Sequence, residues 1–74
     1  MASKTDRMKG AVLIEREDSS NLAVVYPTTA RAIHALDHSH LIDSLCQEDC
    51  VDCVMIDLPE GESSVPDGFE IIYP

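Results

Sequence analysis

Apolar residues fall in short clusters along the chain, and their spacing changes from one cluster to the next. In "GAVLIERE" (10–17), Ala11 and Leu13 alternate with Val12 and Ile14 before the segment turns polar. The cluster "DSSN" that follows is made of turn-forming residues, and "LAVVY" is again β-branched and aromatic. The pattern predicts two strands joined in a hairpin. Pro27 ends the second strand, because it has no amide hydrogen for a ladder and biases Tyr26 towards an extended conformation.

Thr28 or Thr29 can cap a helix, and residues 30–47 contain no Gly or Pro. One straight helix fits this stretch poorly. With Ile33 at zero on a helical wheel, Leu36 and Ala32 fall at about 300° and 260°, whereas Leu41, Leu45 and Ile42 fall at about 80°, 120° and 180°. The apolar stripe changes face near "DHSH". A break there, with Asp37 or Ser39 capping a second short helix, lets both stripes face one core.

The run "CVDCVMIDL" (50–58) suits a strand buried on both sides. "PEGESSVPDG" reads as a polar loop, and "FEIIY" as a final strand. The sum is an α+β domain with elements in the order β-β-α-α-β-β, a small antiparallel sheet carrying a broken helix on one face. The expected organisation is a flexible basic N-terminal arm over residues 1–9 and a single domain over 10–74.

With 74 residues the chain is one small domain, and 45% apolar residues make it globular rather than disordered. No apolar run approaches the roughly 20 residues that span a bilayer, and "MASKTDRMKG" lacks the apolar core of a signal peptide. A cytoplasmic protein that does not bind membranes is expected, with three cysteines held as reduced thiols. The net charge is −9, and it is uneven: residues 32–74 carry ten Asp or Glu and no Lys or Arg. Such a field repels nucleic acid and attracts basic surfaces, although solubility or a high-salt cytoplasm explains it equally well.

Every histidine and cysteine lies in "HALDHSHLIDSLCQEDCVDC" (34–53). Cys46, Cys50 and Cys53 have the spacing CxxxCxxC, which resembles the iron-sulfur motif of radical SAM enzymes. That family needs a large barrel and a Gly-rich nucleotide site, and 74 residues supply neither. Zinc is the stronger metal candidate, with ligands drawn from His38, His40, Cys46, Cys50 and Cys53. Against it, the paired CxxC…CxxC spacing is absent, and an extended "CVDC" sends Cys50 and Cys53 to opposite faces. The expectation is no metal and no cofactor, with the cysteines acting as small hydrophobes.

Enzymatic machinery is not expected either. Adjacent Asp, His and Ser in "DHSH" diverge by about 100° per residue on a helix. Glu48, Asp49 and Asp52 surround the cysteines with the opposite of the electropositive setting that activates a thiol. No aromatic interleaves with the basic arm for stacking on bases, and no phosphate-binding loop is present. What remains is a small, acidic, non-catalytic protein-binding module, an inhibitor or regulator of the kind encoded by phages and mobile elements. Its expected partner is a basic protein that itself binds nucleic acid, met by Glu48, Asp49, Asp52, Glu60 and Glu62 in or beside loops. The alternatives are a zinc-binding or redox module built on the cysteines, and a structural subunit or homodimer that covers its own strand edge.

Overall fold

Strands β1 (Lys9–Arg16) and β2 (Asn21–Tyr26) form the expected hairpin, with Gly10 opposite Tyr26 and Ile14 opposite Leu22. The structure is a computed structural model that describes residues 8–46 and 50–74. In the connecting turn Ser19 takes a positive φ of 65° and donates its amide hydrogen to the Arg16 carbonyl at 3.0 Å. Asp18 accepts the Ser20 amide at 3.0 Å, the local side-chain bonding that makes Asp a turn former.

Helix α1 (Thr29–His38) starts at Thr28, whose hydroxyl accepts the Arg31 amide at 3.1 Å. It stops at Ser39, which is extended, and the Ser39 hydroxyl accepts the Ile42 amide at 3.4 Å to open helix α2 (His40–Leu45). The break therefore falls where the apolar stripe changes face. Its effect is to aim Ala32 and Ala35 from α1 and Ile42 from α2 at one core with Val12, Ile14, Val24 and Tyr26. α1 lies close on β1. A Cβ added at Gly10 would stand 3.0 Å from both the Ala32 Cβ and the Thr29 Cα, and the Thr29 amide donates to the Met8 carbonyl at 2.9 Å.

Strand β3 (Cys50–Leu58) pairs antiparallel with β1, from Lys9 opposite Leu58 to Arg16 opposite Cys50. Strand β4 (Phe69–Ile72) pairs with β2 in parallel, giving the order β3-β1-β2-β4. The α+β class stands, but the sheet is mixed rather than antiparallel. The cause is the segment 59–68. It does not turn back as a hairpin but crosses the second face of the sheet, laying Val65 on Ala11, Leu13, Ala23 and Val25, and delivers β4 to the far edge. A 3-10 turn (Gly61–Ser64) sits inside this segment, which the sequence suggested was irregular. The helical crossover from β2 to β3 and the return from β3 to β4 travel in opposite directions on opposite faces, so both have the same hand.

This arrangement places β1 in the middle, with Gly10 to Ile14 buried on both faces. β3, expected to be buried on both sides, is instead an edge strand: Val51 is 63% exposed and Val54 42%. A continuous apolar run does not say whether a strand lies at the centre or the edge. The hairpin fills one side of β1, and β3 closes the other with no further strand beyond it among the described residues. Lys9, assigned to the N-terminal arm, begins β1, and its ammonium pairs with Glu62 at 3.1 Å. Met8, also assigned to the arm, holds the Thr29 amide through its carbonyl, and residues 1–7 lie outside the described residues.

Candidate functional site

The described acids among the partner-binding candidates lie at two ends of the sheet. Asp52 lies opposite Glu15 at the end of the sheet that carries the β1–β2 turn. Glu60 and Glu62 follow Leu58 at the other end, six strand positions away, or about 20 Å at roughly 3.3 Å per residue. Glu62 is also occupied. It accepts the Tyr73 hydroxyl at 2.7 Å and pairs with Lys9, so it fastens the 3-10 turn to β1 and to the end of the chain. These two contacts, Tyr73 first, hold its carboxyl below the usual range. Glu48 and Asp49 lie outside the described residues.

Two features the sequence did not reveal meet around β3. The first is its outer edge. Over Cys50–Leu58 one side of the backbone has no strand partner among the described residues, and the exposed side chains there are Val51, Asp52, Val54 and Asp57. Glu15 opposite Asp52 adds a like-charged cross-strand pair, which costs stability and so is not explained by folding. The strand holds no Lys or Pro, and what guards it against indiscriminate pairing is Asp52, Asp57 and the bulge at its start, which leave basic segments the better match.

The second feature is the gathering of the three cysteines. Ile14 faces Cys53, Glu15 faces Asp52 and Arg16 faces Cys50, so β3 carries one extra residue beside the shift at Glu15 and Arg16. A bulge of one residue reverses the strand's alternation. Cys50 and Cys53 therefore both pack against the core beneath the helices, joined by Cys46 at the C-cap of α2. The expectation that they project to opposite faces is overturned, since it assumed an unbroken strand.

All three are free thiols. The Cys46 thiol interacts with both others, whereas Cys50 and Cys53 influence each other only through longer-range charge. Cys46 is thus the thiol that neighbours both others. Among the described residues no group of three or more His, Cys, Asp or Glu is disposed to hold a metal ion. Burial, first, pushes all three thiols up, helped by Asp43 beside Cys46 and by Asp52 beside Cys50 and Cys53. At neutral pH they are protonated and weakly nucleophilic.

His34 and His38 stack with ring centroids 4.7 Å apart, and with Arg31, Tyr26 and Pro74 they line an open concavity of about 710 Å³ between α1 and the end of β2. His40 is exposed in the first turn of α2. Among the described residues no helix is long and apolar enough to cross a membrane. The chain matches no protein-family model, no curated protein and no solved structure.

Proposed function

We propose that this protein is a small non-catalytic protein-binding module, an inhibitor or regulator that engages a basic protein along the open edge of β3. The observation that carries this reading is the edge itself: backbone over Cys50–Leu58 that is unpaired on one side among the described residues, with exposed Val51 and Val54 flanking Asp52 and with Asp57 further along. An extended segment that adds to such an edge gains affinity from main-chain hydrogen bonds and selectivity from alternate side chains. Asp52 on one face of the edge and Asp57 on the other favour a segment that carries basic residues on both of its faces, with apolar residues between them. The chain's net charge of −9 speeds the approach of such a partner.

An octapeptide of repeated Lys-Lys-Val-Val, which sets Lys on both faces of an extended strand, is the probe. Titrated into the labelled protein, it shifts amide resonances of Cys50–Leu58 and leaves those of β4 unchanged. The same peptide N-methylated at alternate residues, which cannot complete the ladder, binds far more weakly. Equal binding of the two peptides, or shifts centred elsewhere, would refute docking at this edge.

A homodimer through β3 is the competing reading, and one feature favours it. Antiparallel self-pairing centred on Val54 sets Asp52 against Ile56 and Asp57 against Val51 of the copy, so that no acid faces an acid. Salt separates the two readings. Screening weakens binding of a basic segment, whereas it strengthens association of two chains that each carry −9. Sedimentation and peptide titration across one salt series decide between them.

A further inference from the structure

We propose that Cys46, Cys50 and Cys53 form a thiol–disulfide exchange site in which Cys46 is the common partner, closing onto Cys50 or Cys53 when a small-molecule disulfide such as oxidised glutathione is supplied. The proposal rests on how the fold places them. Ser39 breaks the helix and α2 ends at Cys46, while the bulge turns both strand cysteines towards that end. In an unbroken β3 one strand thiol would project away from Cys46, because residues three apart point to opposite faces. The bulge sits at the acidic end of the docking edge, and bulges recur where a strand re-aims a side chain for use. A closed bond would tie α2 to the first residues of that edge.

The chemistry balances without any other component. A strand cysteine, as thiolate, attacks one sulfur of oxidised glutathione; the S–S bond breaks, a mixed disulfide forms, and one glutathione leaves and takes up a proton. Cys46 then loses its proton and attacks the protein sulfur of the mixed disulfide, forming the intramolecular bond and expelling the second glutathione. Two protein thiols are oxidised, one disulfide is reduced, and both protons end on glutathione. The thiolate is the attacking form. Because burial and nearby carboxylates keep all three thiols protonated at neutral pH, the rate rises with pH across that range.

The test incubates the full chain with oxidised glutathione and follows free thiols and intact mass. The expected product is a monomer with one thiol left of three, lighter by two hydrogens. Cys50→Ser and Cys53→Ser each still close. Cys46→Ser keeps its thiols or retains glutathione, because the remaining pair lacks the partner that both approach. Closure of Cys46→Ser as fast as the wild type would overturn the proposal, as would a wild-type protein that yields only stable glutathione adducts or disulfide-linked dimers. Peptide mapping of the oxidised wild type needs no variant. A linkage containing Cys46 supports the site, and a Cys50–Cys53 linkage refutes it.

Discussion

Replacing Gly10 with Ala tests the seat of α1 on the sheet. The new methyl would stand 3.0 Å from the Thr29 Cα and from the Ala32 Cβ, well inside the roughly 3.5–4.0 Å at which carbon atoms rest. Neither neighbour is the tip of a flexible side chain, so the helix itself must move. Overpacking of this kind costs about 1–3 kcal/mol. Gly to Ala also narrows the unfolded ensemble, which returns about 0.4–1 kcal/mol. The net loss is about 1–2 kcal/mol, out of a total of about 4–11 kcal/mol for a chain this size at roughly 0.05–0.15 kcal/mol per residue. Urea unfolding of Gly10→Ala should show a lower midpoint with an unchanged slope. Ala32→Gly removes one of the two clashing carbons while weakening the helix by about 1 kcal/mol. In the double variant the two losses therefore sum to less than their separate values, by at least about 0.5 kcal/mol. A Gly10→Ala protein as stable as the wild type, or strictly additive losses, would mean that α1 does not approach β1 at this point.

Glu62 makes stability depend on pH in a definite direction. Tyr73 and Lys9 lower its carboxyl in the folded state, so the unfolded chain binds the proton more readily, and the contribution is present above the unfolded carboxylate value and lost as pH falls through the folded one. The difference in Tm between wild type and Glu62→Gln should be largest near neutrality and shrink in acid, and a difference independent of pH would contradict the pairing. Tyr26 carries a buried hydroxyl with no hydrogen-bond partner among the described residues. Its replacement by Phe should raise stability by about 1 kcal/mol in thermal or urea unfolding, since the unpaired group no longer has to be desolvated. A loss of that size would reveal a partner for the hydroxyl.

Local chemistry was legible in the sequence wherever neighbouring residues decide the outcome. The hairpin follows from alternation and a turn cluster, the start of α1 from a threonine that can bond Arg31, and the break at Ser39 from an apolar stripe that changes face. Each depends on interactions within about one turn or one strand pair. The place of β3 at the edge, the parallel seat of β4 and the burial of the second face under Val65 depend on where segment 59–68 crosses, and no local pattern records that path. The acids show the same division: their excess was plain from composition, but the strand register decided that Asp52 and Glu60 stand at opposite ends and that Glu62 is held by Lys9 and Tyr73. The cysteines show it most sharply. Their spacing was visible, yet the inference of divergence assumed that every residue of β3 has one partner on β1. A single extra residue opposite Glu15 breaks that assumption, because strand alternation has a period of two and one insertion inverts it. Only the pairing of β1 with β3, set by contacts between residues far apart in the chain, brings Cys50 and Cys53 to the face on which Cys46 packs.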